Sequence, residues 1–395
     1  MVREMDFVDE CYADKDLSLL KKLTLIIPTY NRNYYLSRCL WYHAHFPFGQ
    51  IIVADSSPEE KKVVNRETVA KVREMFGADI LYLEYEPETE KYGGDIYRKW
   101  GDAVMHVETE YVQICTDKAF RIPTGFTDAI TFLSLNKDYV ASKPGTGHYI
   151  TSKSPSPLIS QTLSVSEVMR EPLDGFLDSL CNVGWANSTM FAVYRTRTLK
   201  EIFLPIVNLK INDIRYGEFH IGYSGYLLGK VHIDNINPFI IRDVSRVPSD
   251  KPNSESSTTR YHPIHSYRYL LTSKGKLTYE NYKSELIRLI STHSHDNVET
   301  IAKMIDGYIR PTLFIKYFNF PDNKILYSLL MKLPLLSLGY PIVKKILDFW
   351  RDNLNTQKSI TMNQIVGEVK TDETKIISQI VSNTSSLYND DKPVI

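Results

Sequence analysis

Short apolar runs alternate with amphipathic or charged stretches through the first third of the chain. The runs are rich in β-branched residues, which is typical of buried strands: Leu23–Tyr30, Gln50–Asp55, Asp79–Glu86 and Glu110–Asp117. Helical spacing separates them, over residues 31–46, 59–76 and 93–107. This alternation predicts an α/β fold in which helices cover both faces of a mostly parallel, Rossmann-like sheet.

The pattern becomes mixed after Pro123. It predicts a helix at GFTDAITFLSLN, a strand at DYVASKPG, and a strand with a helix start inside TMFAVYRTRTLKEIF. A further helix is predicted from about Asn212 to Leu228, ended by Gly229 and followed by a short strand. We expect the serine- and proline-rich residues 152–160 to form a surface loop.

Composition changes suggest four parts of the chain. Residues 1–21 form a polar N-terminal leader, and residues 22–242 form the α/β domain. Residues 243–263 are polar and rich in turn-forming residues, so we expect a mobile loop there. Residues 264–395 are predicted to form a C-terminal helical region.

Charge and cysteine content exclude several classes of protein. Lysine and arginine together number 47 and balance 47 acidic residues, so no net charge points to a nucleic-acid partner. The 4 cysteines are far apart, which argues against a zinc knuckle and a secreted disulfide framework. The sequence shows neither a signal-peptide pattern nor an apolar run of about 18 residues, so we expect a cytoplasmic protein.

The C-terminal helices are apolar with interspersed lysines, and two interpretations stay open. They could pack against the α/β domain or form a homo-oligomer, which we favour because Pro334, Gly339 and Pro341 interrupt any long amphipathic face. They could instead make a peripheral membrane contact, which would make the protein membrane-associated.

Ligands of open parallel sheets bind at the carboxyl ends of the strands. This rule predicts that the segment Pro28–Arg32, Asp55 and Asp117 lie along one rim. The motifs found there are IIPTYNR after the first strand, IIVADSS after the second, and TDKAF after the fourth.

In this order and spacing, the three motifs resemble those of the GT-A nucleotide-diphospho-sugar fold of family 2 glycosyltransferases, in particular the subgroup with a DDDF-type motif. The resemblance covers about residues 22–235. It implies transfer of a sugar, with inversion, from a nucleotide-sugar donor to a hydroxyl of a glycan or lipid-linked acceptor. The second motif matches loosely and the first closely.

The resemblance also assigns donor-binding residues. Asp55 would accept the nucleobase N–H, Arg32 would meet phosphate charge, and Lys99 or its neighbour Arg98 could reach a phosphate. The full predicted set for the nucleotide-sugar is Pro28, Thr29, Tyr30, Arg32, Asp55, Asp95, Lys99, Asp117 and Lys118.

Asp117 occupies the position of the family's metal-binding acidic motif, which holds Mg²⁺ or Mn²⁺ against the donor diphosphate. The next residues, Lys118 and Ala119, offer no oxygen ligand. We therefore favour a metal-independent enzyme in which Lys118 supplies fixed positive charge, with a metal at Asp117 as the less favoured variant. The other interpretation is a protein that has kept the fold and lost catalysis.

The resemblance places a catalytic base in the segment NDIRYGEFHIGY. Glu218 is the first candidate and Asp213 the second, and a plain solvated carboxylate is the alternative for Glu218. His220 could contact the acceptor or orient Glu218, although a lone helical histidine is more often structural. Trp185 could stack on an acceptor sugar, and a tryptophan in this position is as often part of the core.

Two alternative functions remain open for this sequence. One is a catalytically silent nucleotide- or glycan-binding module on the same fold. The other, a nucleotidyltransferase, is less favoured because PTYNRN stands where its glycine- and lysine-rich phosphate loop is expected.

Overall fold

The computed structural model describes residues 12–87, 95–149, 189–208, 214–243, 273–293 and 296–310. Asp213, Trp185, nearly all of the expected loop 243–263 and the predicted helices beyond residue 310 lie outside these ranges. The chain divides into two compact units, one comprising Met1–Arg260 with Met362–Ile395 and the other Tyr261–Thr361.

The first unit contains an eight-stranded mixed sheet in the order β3-β2-β1-β4-β7-β6-β8-β5. Its strands are β1 (Leu23–Thr29), β2 (Gln50–Asp55), β3 (Ile80–Glu84), β4 (Tyr111–Ile114), β5 (Ala119–Arg121), β6 (Tyr139–Tyr149), β7 (Val193–Arg195) and β8 (Lys230–Asp243). The first four strands pair in parallel, as does β6 with β8, whereas β4 with β7, β6 with β7 and β5 with β8 are antiparallel. The predicted α/β class is confirmed.

Helices join the strands of the first unit. A 3₁₀ turn at Ser18–Lys22 precedes β1, and the helices are α1 (Asn33–His43), α2 (Glu59–Phe76), α3 (Asp95–Met105), α4 (Pro123–Leu135), α5 (Thr196–Asn208), α6 (Ile214–Tyr223) and α7 (Gly225–Leu228). Helix α2 ends at Gly77, whose φ of 63° is the left-handed conformation that favours glycine.

Burial of the central strands explains their apolar sequences. All seven residues of β1 are buried, as expected for a parallel strand covered on both faces. Leu25 and Val53 belong to a core cluster that also contains Leu36 of α1 and Val69 of α2. Helix α3 packs on β1, β2 and α5.

Three local features differ from the expected pattern. The predicted helix 212–228 consists of two helices, α6 and α7, separated at Ser224. The strand after Gly229 is long rather than short, because β8 pairs with both β6 and β5. Strand β5 has only three residues, too few to show a periodic pattern.

The second unit contains α8 (Ser273–Ser291), α9 (Val298–Met304) and a π-helical turn at Ile305–Ile309. Asp306 in this turn accepts hydrogen bonds from the Tyr279 hydroxyl and the Lys283 ammonium, which join the turn to α8. Within the described ranges of both units, the helices are too short or too polar to cross a membrane.

Candidate active site

The strand ends of β1 and β4 meet at one rim of the sheet. Thr29 is the last residue of β1 and pairs with Asp55 at the end of β2. The Thr29 hydroxyl donates a hydrogen bond of 3.0 Å to Oδ2 of Asp117, which follows β4. The structure therefore brings together three of the residues that the strand-end motifs single out.

Asp117 is a buried carboxylate whose two oxygens both accept contacts. Besides the bond from Thr29, a guanidinium nitrogen of Arg32 lies 3.4 Å from Oδ1. The Asp117 side chain is 2% exposed, whereas that of Arg32 is 38% exposed. Arg32 thus covers the carboxylate from the solvent side and places a positive charge at the rim.

Two more cations contact the ring of Tyr35, and one of them, Lys118, follows Asp117 directly in the chain. The Lys118 ammonium lies 4.6 Å from the centroid of the Tyr35 ring, and the guanidinium carbon of Arg38 lies 5.2 Å from the same ring. Both cations are nearly buried, and contacts of this kind stabilise a charge by cation–π attraction. Neither Tyr35 nor Arg38 was among the predicted site residues.

Lys99 lies where β1 and β2 end. Its ammonium donates to the Thr29 carbonyl oxygen over 3.1 Å and to the Ser56 hydroxyl over 2.7 Å. The side chain is buried, so in this structure Lys99 holds the two strand ends together. Asp95 begins the same helix, α3.

Asp55 is fully buried and accepts three hydrogen bonds from within the protein. Its Oδ1 accepts from the Ser57 backbone N–H over 2.7 Å, and its Oδ2 accepts from the Asn65 amide over 2.7 Å and the Tyr82 hydroxyl over 2.5 Å. Burial and the Asp55 charge raise the pKa of Tyr82, so its hydroxyl stays protonated and donates. Because Asp55 is fully buried, a nucleobase N–H could reach it only if a covering side chain moved.

The PTYNR turn connects β1 to α1. Pro28 is buried and Tyr30 is half-buried. Asn31 has a φ of 54°, and its backbone N–H donates to the Ser57 hydroxyl over 2.8 Å. Arg32 occupies the cap position of α1, without a side-chain cap bond.

Glu218 is distinguished from its neighbours by exposure. Every residue from Tyr216 to Tyr226 is buried except Glu218, which is half-buried. Ile221 and Gly222, three and four positions further along the chain, are both buried. Within residues 216–226, Glu218 is therefore the residue with access to solvent, and its role as base stays a prediction.

His220 lies against α5. Its Nε2–H donates to the Ile202 carbonyl oxygen over 2.8 Å, and the ring is 2% exposed. Burial lowers the pKa of His220 to about 4, so the ring is neutral at physiological pH. His220 joins α6 to α5, and this placement does not fit the predicted contact with an acceptor.

The residues around Asp117 are a poor fit for a divalent metal. Both carboxylate oxygens already accept contacts, one of them from the Arg32 guanidinium. Ala119 belongs to β5 and has no ligand atom, and Lys118 is a cation. A hard cation prefers several oxygen ligands, and the described residues supply a single carboxylate here.

A second possible metal group is also unsuitable. In the described ranges, Cys39, His43 and Cys115 place ligand atoms within 4.8 Å of one another. However, His43 Nδ1–H donates to the Cys39 carbonyl oxygen over 2.7 Å, and Nε2 accepts from the Arg121 backbone N–H over 3.2 Å. With both ring nitrogens engaged, and with burial lowering the His43 pKa to about 3, this cluster is part of the core.

Neither a family model nor a curated protein matches this sequence. Among solved structures, the chain is similar to TarS of S. aureus. TarS 1–349 with UDP is 14% identical, with a TM-score of 0.42 over 93% of this chain and 92% of that chain. TarS 1–349 with UDP-GlcNAc is 13% identical, with a TM-score of 0.42 over 75% and 73%.

A longer TarS structure is 15% identical, with a TM-score of 0.42, and the match spans 75% of this chain but only 44% of that one. This chain therefore corresponds to less than half of the longer TarS chain.

Proposed function

We propose that this chain is a GT-A glycosyltransferase that transfers a sugar, with inversion, from a nucleotide-activated donor to a hydroxyl of a glycan or related acceptor. The observation that carries the proposal is the rim at the ends of β1, β2 and β4. There Thr29 contacts Asp117, and Arg32, Lys99 and Lys118 supply positive charge. Such a rim is where parallel α/β sheets bind ligands, and its cations suit a diphosphate.

In this proposal the donor diphosphate is held without a metal ion. Arg32 can present two N–H groups to phosphate oxygens, and Lys118 adds a point charge next to Asp117. Preorganised cations in a partly buried site stabilise the negative charge that develops on the leaving diphosphate. The poor fit of the Asp117 surroundings to Mg²⁺ or Mn²⁺ supports this version.

Glu218 is the proposed general base. Its carboxylate takes the proton of the acceptor hydroxyl while the hydroxyl oxygen forms a bond to the anomeric carbon. The bond between that carbon and the donor phosphate oxygen breaks, and its electron pair leaves with the nucleoside diphosphate. The half-buried position of Glu218 in an otherwise buried stretch supports this role.

The nucleobase is proposed to bind beside Asp55. Asp55 is fully buried and its Oδ2 accepts from both Tyr82 and Asn65, so the base N–H is proposed to replace one of these donors at the carboxylate. The Tyr82 hydroxyl is the donor best able to move, because the Tyr82 side chain is half-buried whereas Asn65 is fully buried.

The remaining assignments are also proposals, and no contact among the described residues bears on them. They are a glycan or lipid-linked acceptor, Asp213 as an alternative base, Trp185 as an acceptor platform, a role in polysaccharide biosynthesis, and a cytoplasmic location with membrane or homo-oligomer contacts through the C-terminal helices.

A catalytically silent nucleotide- or glycan-binding module is the second candidate. Both rim carboxylates, Asp55 and Asp117, already have partners within the protein, which favours this candidate. The two candidates differ at Glu218, which a silent module does not need.

The test compares Glu218→Gln with Glu74→Gln, an exposed carboxylate on α2. We expect Glu218→Gln to abolish sugar transfer while calorimetric titration shows unchanged nucleoside diphosphate affinity, and Glu74→Gln to leave both unchanged. Turnover retained by Glu218→Gln would refute its role as base. Binding of nucleoside diphosphate without turnover of any activated sugar would favour the silent module.

A further inference from the structure

Helix α3 contacts both the donor rim and the helix that carries Glu218. Lys99 on this helix donates to the Thr29 carbonyl oxygen and the Ser56 hydroxyl. Two residues earlier, the Tyr97 ring packs against α6 at Gly217. One helix therefore connects the strand ends to the proposed base.

The contact between Tyr97 and Gly217 has no spare room. A Cβ atom built on Gly217 would lie 2.2 Å from Cδ2, 2.7 Å from Cε2 and 3.0 Å from Cγ of the Tyr97 ring. Tyr97 is 3% exposed and stands edge-on to Trp100, with ring centroids 5.1 Å apart. The buried ring cannot turn away easily, so α6 approaches α3 this closely only because residue 217 is glycine.

Glu218 follows Gly217 directly. Tyr97 fixes α6 from the side of α3, and the bond from His220 to the Ile202 carbonyl oxygen fixes it from the side of α5. Movement of α6 away from α3 would therefore move the Glu218 carboxylate relative to the rim.

We propose that Gly217 and Tyr97 are positioning residues that set the distance between the Glu218 carboxylate and the donor rim. This role rests on the proposed function of Glu218 as general base. A misplacement of about 1 Å in a reacting group can reduce a rate by about 100-fold. Gly217 acts through the placement of α6 and not through contact with substrate.

The test is a double-mutant cycle with Gly217→Ala and Tyr97→Ala, measured with the activated sugar that gives the highest turnover. We expect Gly217→Ala to lower kcat by about 10- to 100-fold with the donor KM within about threefold. In the Tyr97→Ala background, where the clashing ring atoms are gone, we expect the same substitution to change kcat by less than about threefold.

Gly307→Ala is the matched control, because a Cβ at Gly307 would meet nothing within 4 Å. We expect its kcat to equal that of the unmodified protein. If Gly217→Ala fails to fold, the comparison of Tyr97→Ala with the double variant still tests the proposal. Without the Tyr97 ring the added Cβ meets no clash, so we expect the double variant to fold.

An unchanged kcat in folded Gly217→Ala would overturn the proposal, and so would an equal loss in both backgrounds. A misfolded double variant beside a folded Tyr97→Ala would also overturn it. By contrast, turnover retained by Glu218→Gln, or no turnover with any donor, would overturn the proposed function itself and this role with it.

Discussion

Removal of the Tyr82 hydroxyl distinguishes a structural role of Asp55 from a role in ligand binding. The hydroxyl donates one of three hydrogen bonds to a fully buried carboxylate, over 2.5 Å. A hydrogen bond to a charged group contributes about 1.5–3 kcal/mol. We therefore expect Tyr82→Phe to lower the free energy of unfolding by about that amount, measured from urea denaturation curves.

The same substitution should strengthen nucleotide binding. If the nucleobase N–H replaces the Tyr82 hydroxyl at Asp55, the variant no longer has to break that bond on binding. We expect the Kd for the preferred nucleoside diphosphate to fall by about tenfold, which corresponds to about 1.4 kcal/mol, in calorimetric titrations with UDP, GDP, CDP and ADP.

The control is Tyr139→Phe, whose ring stands edge-on to Phe132 and which lies on β6 rather than at the rim. We expect this control to change neither stability nor affinity appreciably. Unchanged or weaker nucleotide binding by Tyr82→Phe would refute a contact between the base and Asp55, and would leave this carboxylate with a purely structural role.

Three further predictions address charge, protonation and backbone conformation. Lys118→Ala should weaken binding of nucleoside diphosphate by about tenfold or more and leave the free nucleoside unaffected, because we propose that Lys118 attracts the diphosphate. Exposed Lys137→Ala is the control, and equal losses for nucleoside and diphosphate would contradict the assignment. Burial lowers the pKa of His220 in the folded protein to about 4. Its contribution to the free energy of unfolding is therefore fully present above about pH 6.5 and falls by about 1.4 kcal/mol per pH unit towards pH 4. The pH dependence of the unfolding free energy should be shallower in His220→Gln, and identical slopes would show that His220 does not titrate this way. Gly77→Ala should lower the free energy of unfolding by about 1 kcal/mol, because alanine disfavours the left-handed φ of 63° even though its Cβ would meet nothing within 4 Å. An unchanged urea midpoint would contradict this prediction.

Much of the sheet was predictable because its strands are marked by local sequence. The expected bounds of β2 and α2 agree with the structure, since β2 is a buried run ended by Asp55 and α2 runs from two glutamates to a left-handed glycine. Strand β5 was missed because its three residues owe their conformation to pairing with distant β8.

The surroundings of the rim carboxylates were not predictable in the same way. Asp55 is held by Asn65 and Tyr82, which are 10 and 27 positions away and carry no local motif. The contact of Arg32 with Asp117 spans 85 positions and depends on the pairing of β1 with β4. The close contact of Gly217 with the Tyr97 ring likewise depends on the packing of α3 on α6, which no local motif marks.

Sugar transfer itself is tested most directly by release of nucleoside diphosphate from a panel of nucleotide-activated sugars, with glycan acceptors and with or without EDTA. We predict turnover of at least one donor that persists in EDTA and disappears in Glu218→Gln. Failure of every donor to turn over would contradict the proposed enzyme. Activity that vanishes in EDTA and returns with Mn²⁺ would contradict the proposal that Arg32 and Lys118 hold the diphosphate without a metal ion.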